Sequence, residues 1–564
     1  VSAKSRFRLG LLAAIAIAGI VIAWFGREPF HRWQERRLVE KARGFLKTGD
    51  FRSAYLSSRE ALLKNPGSIA ACSIAAQVAD LEQSPAAILW RQKIAELQPG
   101  GSGPLIELAA AAIRFAETSI AEQALAQVRE SDRDTVAFRQ ISASLAIALK
   151  QFGTAEVEFQ KALELEPGNE GLQLNLATIR LGLARPGQTE QARAVLDALR
   201  ARPQFHQEAL RAMISDARRR GDSSQAMQLA CELRQDARAT FGDQLMYLEE
   251  LQHAESKDFT PELSKLQASA VARPDIAYGL MTWMNAHGLV AQSIAWCETL
   301  PAKIRTQIPV PLAEAEARTA LADWKQLREI VRDADWGDLE FLRFALHARV
   351  LYETDGQKRR SEFQLMWERA KTATRGNPEA LVMLGRLVNG WGWKQEACEV
   401  WWLAAGKGPG NRGALKALYT LHSADKNTRE LYRVVRRVLE MEPASPVAKN
   451  NVAALALALG VDEPEARRIA EENYRLTPTQ PVIATTYAFS LHRQNRTSEA
   501  LAILKRLPTA ALADPSISAC YGVLLAANGE AGVARPYLEA ADRQKAQLFP
   551  EEVALVANAL KGLP

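Results

Sequence analysis

Between Phe152 and Pro167 the chain reads FGTAEVEFQKALELEP: a turn at Phe152–Thr154, small Ala155, Ala162 seven residues on, and Pro167 after twelve. Residues seven apart share one face of an α-helix, and small residues there let a neighbouring helix approach closely. Gly49–Pro66 (GDFRSAYLSSREALLKNP) repeats the order with Ala54, Ala61 and Pro66. Proline cannot occupy a helix interior, so it closes this helix (Pro66, Pro99, Pro167, Pro443, Pro478). Gly or Asn five residues before the small marker closes the preceding helix (Gly49, Gly187, Gly221, Gly288, Gly356, Gly392, Asn495, Gly529). The unit predicted is a helix–turn–helix.

The unit recurs. Its markers fall at Ala54, Ala87, Ala121, Ala155, Ala192, Ala226, Glu262, Ser293, Leu327, Ser361, Ala397, Leu431, Ala466, Ala500 and Ala534, at intervals of 31 to 37 residues and most often 34. Ten of the fifteen are Ala, where a chain with 96 Ala in 564 residues would place two or three by chance. A fixed period in this range marks a stacked-repeat architecture. In such an array each repeat packs mainly on its neighbours, so 564 residues need not divide into separate globular domains.

The period of 34, the small residues equivalent to Ala54 and Ala61, and the closing Pro66 are together similar to the tetratricopeptide repeat (TPR) family. Asn175-Leu176-Ala177, Asn451-Val452-Ala453 and Tyr521-Gly522 stand where that motif carries its Leu-Gly pair or close variants. The resemblance covers about residues 38–541 and weakens over 235–380. It implies an all-α fold: an α-solenoid superhelix of about fifteen TPR-like repeats, with a concave groove for a peptide or protein. Some relatives grip a carboxylate terminus with Lys and Asn on the first helices. Here the corresponding positions are Val39, Arg43, Cys72, Ala76, Ile106, Ala110, Gln140 and Ser144, with Arg43 the one cation, so that clamp is not expected.

Ahead of the repeats, Leu9–Gly26 (LGLLAAIAIAGIVIAWFG) is 18 residues without a charge, enclosed by Arg8 and Arg27. As a helix it reaches about 27 Å, close to the ~30 Å hydrocarbon core of a bilayer. A cleaved signal peptide is the rival reading, but no small-x-small site follows the apolar run before bulky Trp24-Phe25-Gly26-Arg27. One N-terminal transmembrane helix is therefore expected, resembling bacterial-type membrane-anchored TPR proteins. Lys and Arg counts favour the repeat side as cytoplasmic, whereas a short tail before a single span is the usual arrangement for an exported domain. The expectation taken is the inner (cytoplasmic) membrane with the repeats facing the periplasm. Five Cys, odd in number and far apart, read as buried free thiols and pull mildly towards a reducing compartment.

The organisation predicted is a basic tail at 1–8, a transmembrane helix at 9–26, and a juxtamembrane segment at 27–37. Regular repeats follow at 38–234, degenerate ones at 235–380 and regular ones at 381–544, with a C-terminal capping helix at 545–564. In the juxtamembrane segment Arg27, Arg32, Trp33, Arg36 and Arg37 are lipid-contact candidates for anionic headgroups, or simply the solvated start of the first helix. Arg218-Arg219-Arg220 suits the negative end of a helix dipole. Trp391, Trp393, Trp401 and Trp402 fall in one repeat and are partner-binding candidates, since exposed Trp is enriched at binding hot spots; packing between helices is the alternative.

Net charge is +6, from 71 basic and 65 acidic residues largely interspersed, a solvated helical surface and not a nucleic-acid footprint. Seven scattered His show neither HExxH nor a CxxC neighbour, and Gly406–Gly413 lacks phosphate-loop spacing. No enzyme activity, cofactor, metal, nucleic acid or small-molecule substrate is indicated. The function expected is a membrane-anchored scaffold recruiting or organising parts of an envelope, secretion or polysaccharide assembly machine. A structural subunit of a stable membrane complex and a periplasmic chaperone-like factor for an apoprotein are the alternatives.

Overall fold

The computed structural model describes residues 31–355, 360–406 and 411–564. The predicted span Leu9–Gly26, the tail before it and Arg27 lie outside the described residues. Among the described residues no helix is long and apolar enough to cross a membrane. Every regular element described is helical, and the chain divides at Ile276/Ala277 into two compact units.

Within each unit consecutive helices pack as antiparallel pairs, such as Val136–Ala148 with Phe152–Leu165 and Pro515–Ala527 with Ala531–Arg543. Each pair then packs on the next, as Phe152–Leu165 does on Glu170–Leu183. The turn inside a pair needs one left-handed residue to reverse the chain. It falls at Gly49, Gly187, Gly221, Gly288, Gly392, Asn495 and Gly529, as the spacing predicts, and at Ala116, Lys150, Ala322 and Lys426, where no glycine announces it. Short polar side chains then cap the new helix: Asp50, Asp222, Asp323 and Asn427 each accept the backbone N–H three residues on. The helices before Pro66, Pro99, Pro167, Pro443 and Pro478 end at Lys64, Leu97, Leu165, Met441 and Leu476, two residues short of each ring.

All ten Ala markers are at most 3% exposed. Two of the other markers need correction. In the helix Phe259–Ala270 the close-packed pair is Leu263 and Ala270, with Glu262 buried beside it through its ion pair to Arg234 at 2.5 Å. In Arg360–Ala373 Ser361 is exposed, and half-buried Phe363 with buried Ala370 takes its place. Both shifts move the register by one or two residues and leave the helix–turn–helix intact.

Two glycines mark where helices come closest. A Cβ on Gly385 would stand 2.9 Å from the Trp401 ring, and one on Gly522 would stand 2.8 Å from Leu538 Cγ and 3.2 Å from its backbone nitrogen. Gly182, also helical, has open space. Gly522→Ala should therefore be destabilising, because overpacking of about 1–3 kcal/mol exceeds the ~1 kcal/mol gained in helix propensity. Gly182→Ala should be stabilising by about 0.5–1 kcal/mol. Opposite signs in chemical denaturation would verify the packing; equal signs would contradict it.

The charges are less interspersed than the sequence suggests. In the first unit, buried or half-buried carboxylates meet Arg from the neighbouring repeat: Arg200–Glu232, Arg211–Asp243 at 2.7 Å and Arg218–Glu250, each 32 residues apart. Burial alone would raise the Asp243 carboxyl, but hydrogen bonds from Arg211 and Thr240 hold it below the ordinary carboxylate range. The Arg218–Arg220 run is accounted for by such contacts more than by the helix dipole. Arg218 pairs with Glu250, Arg219 donates to the Leu181 carbonyl and Arg220 pairs with Asp216 at 3.1 Å.

In the second unit the pairing is interrupted between Pro301 and Glu340 by the short helix Ala302–Arg305 and a 3-10 turn at Gly337–Leu339. Glu314 is buried there against Arg305 at 2.6 Å and Arg318 at 2.8 Å. The adjacent Cys297 thiol is pushed up to about 12, by burial first and then by the Glu314 charge, so it is inert.

Candidate functional site

The first helices of the last four repeats are Asn411–Ala424, Pro446–Leu459, Pro481–His492 and Pro515–Ala527. Each buries one face against its pairing helix and leaves a second face half-covered, and these second faces converge. Tyr419, Asn450, Asn451, Ala454, Leu455, Ala458, Val482, Thr485, Phe489, Cys520 and Val523 line a groove of about 300 Å³. A smaller hollow of about 260 Å³, bordered by Arg412, Leu415, Val438 and Met441, meets it at Tyr419.

The walls are mainly apolar, and most polar groups are already satisfied. Thr485 and Thr486 donate to the Pro481 and Val482 carbonyls, and Asp514 caps its helix by accepting from the Ser516 and Ile517 amides. Asn450 differs. It is 5% exposed, yet its Oδ1 has no hydrogen-bond partner among the described residues. A buried acceptor left unpaired costs about 1–3 kcal/mol, so Asn450 is a locally destabilised point beside the groove. Asp514 and Glu552 are the ionisable carboxylates at the rim, and no Lys or Arg is among the described lining residues.

The far wall is the helix Pro550–Gly562, through Glu552 and Leu555. It packs on both helices of the last repeat, as a terminal cap does, and also touches Pro446–Leu459. The segment leading into it reaches back to the turn at Lys426. Lys426 Nζ donates to the carbonyls of Ala546 at 2.6 Å, Leu548 at 2.8 Å and Lys545 at 3.4 Å. Thr428 Oγ1 donates to Glu551 Oε2 at 2.8 Å, and Phe549 packs against the core cluster of Leu431, Val452 and Ile469. Burial raises the Glu552 carboxyl, partly offset by its acceptance from the Phe549 amide at 2.8 Å. No local pattern in the sequence announces this tether.

The four Trp divide. Trp393 and Trp401, 8% and 4% exposed, belong to the core. Trp391 and Trp402 are half-buried with an Arg guanidinium over each ring, Arg349 at 4.7 Å and Arg433 at 5.0 Å. Trp393 contacts Tyr352 at 5.1 Å, and Tyr352 is 53% exposed. Surface aromatic area therefore comes from Tyr352, Trp391 and Trp402, and Tyr352 was not among the sequence candidates. Of the lipid-contact candidates, Arg32, Trp33, Arg36 and Arg37 are exposed on the helix over residues 31–47, with the Arg37 guanidinium 5.7 Å from the Trp33 ring.

Residues 146–215 match the tetratricopeptide repeat family model. No curated protein matches the chain. Among solved structures, a tetratricopeptide repeat protein from Parabacteroides merdae is 16% identical, covering 41% of this chain and 92% of its own, with a TM-score of 0.37. PilF of Pseudomonas aeruginosa is 17% identical, covering 40% and 99%, at 0.32. The Cut9–Hcn1 hetero-tetramer of the APC/C is 12% identical, covering 83% and 99%, at 0.31. With scores this low, the assignment to tetratricopeptide repeats rests on the family match and covers residues 146–215.

Proposed function

We propose that this chain, a tetratricopeptide-repeat protein, is a membrane-anchored scaffold that holds a protein partner in the groove of its last four repeats. The observation that carries the reading is the mainly apolar groove of about 300 Å³ built from the first helices of the last four repeats. The partner that fits is an apolar peptide segment that is neutral or basic, since the rim holds Asp514 and Glu552 and no lining cation. Leu9–Gly26 supports a single-pass membrane anchor. In this reading the anchor lies in the inner membrane with the repeats in the periplasm, serving an envelope, secretion or polysaccharide assembly machine.

Selecting a random peptide library against the full chain tests this. Enriched peptides should be apolar with Lys or Arg, and Ala454→Trp, which fills the groove, should cost them about 2 kcal/mol or more of binding. Thermal stability should hardly change, because Ala454 is only half-buried. Binding that survives Ala454→Trp but is lost in Trp391→Ala or Trp402→Ala would place the partner on the aromatic patch instead. Isolation in mild detergent as a stoichiometric complex would make the chain a structural subunit.

A further inference from the structure

Most helices of the array are held by broad burial. Pro515–Ala527 fully buries eight residues, whereas Pro550–Gly562 fully buries Val556 alone. Local stability follows buried contact, so the final helix belongs to the part of the molecule that opens first. Behind it lies the groove of about 300 Å³, so its groove side is incompletely packed. What fixes it at the far end is buried Leu548, a small set of polar contacts and one ring. The polar contacts and the ring are Lys426 Nζ on three backbone carbonyls, Thr428 on Glu551, and Phe549 on the Leu431 cluster.

We infer that residues 545–562 are a releasable latch that forms one wall of the groove: Lys426, Thr428 and the Phe549 pocket hold that wall closed, and the groove widens to take a partner when they let go. This rests on the reading of the groove as the partner's seat. Lys426 is well placed to control the latch, because it is the left-handed turn residue of its repeat and, among the described residues, its Nζ bonds only to these three carbonyls, while its backbone bonds to Ser423 and Thr428 do not depend on the side chain.

Cys520 reports on the latch, since it lines the groove beneath Glu552 and Leu555. Cys520 is partly buried, and burial, with the Glu552 charge second, pushes its thiol up to about 12, so it reacts slowly while the latch is shut. The full chain is treated with N-ethylmaleimide and labelling is followed at each cysteine by mass spectrometry. Lys426→Met should label Cys520 at least tenfold faster than the parent while fully buried Cys297 keeps its rate. Phe549→Ala should act in the same direction, and Lys505→Met, which removes an exposed pair with Glu530, should leave Cys520 unchanged. An unchanged Cys520 rate in both latch variants would overturn the proposal. So would Cys297 accelerating in step, since that is global loosening. Neither result depends on peptide binding, so failure here and failure of the groove reading are told apart.

Discussion

Ala155→Glu should destabilise the protein by about 3–5 kcal/mol, the cost of an unpaired buried charge. Ala155 is fully buried in Phe152–Leu165, which packs on Val136–Ala148 on one side and Glu170–Leu183 on the other. The cations that reach this helix are already engaged: Arg180 and Arg185 pair with Glu156 at 3.1 and 2.6 Å, and Arg139 and Lys161 pair with Glu158 at 2.9 and 3.7 Å. The new carboxylate would have neither water nor a partner, and the two helices would have to separate to admit it. Ala155→Ser provides the control: it adds a small hydroxyl that can bond back to the helix, and should cost far less. Denaturation followed by far-UV circular dichroism separates the two. Equal midpoints would mean that position 155 is not a helix–helix contact.

Trp401→Ala should cost about 3–5 kcal/mol, as for deleting a buried aromatic ring. Its ring fills the notch left by Gly385, and it belongs to the cluster that includes Leu384, Val388 and Ala404. Trp402, one residue on, is turned about 100° around the helix and stacks beneath Arg433 at the surface. Trp402→Ala should cost about 0.5–1 kcal/mol, the worth of an exposed cation–π contact. A chain in which the two substitutions cost the same would not have the observed division between core and surface.

The repeat was legible in the sequence because close helix contact demands small residues, and Ala at a fixed period stands out from its background. The legibility failed where the contact is made by larger residues. Leu263 and Phe363 do the work of the small marker in their helices, but Leu and Phe also occur at many unrelated core positions, so the register slipped onto Glu262 and Ser361. The Trp cluster was legible as a cluster and as a mixture of facings. Which ring goes inward was not, since that depends on Gly385 in the preceding helix.

The groove was less legible still. Its lining residues are half-covered Ala, Val, Thr and Asn on faces that the alternation of polar and apolar positions does not distinguish from solvent-facing ones. The C-terminal helix was legible as a cap for the last repeat. Its tether joins Lys426 to carbonyls 119 to 122 residues away, and backbone acceptors leave no mark on the sequence. The Arg–carboxylate pairs between repeats lay hidden for a related reason, because a paired buried Asp243 and a solvated Asp look alike in a list of charges.

Native-state hydrogen exchange of Ala155→Glu beside the parent chain tests the array most directly. In a one-dimensional array the damage stays with its neighbours. Amides of Val136–Ala148, Phe152–Leu165 and Glu170–Leu183 should lose protection, while those of Thr497–Leu504 and Ala531–Arg543 keep the parent's rates. Uniform loss of protection from residue 31 to residue 564 would contradict the account.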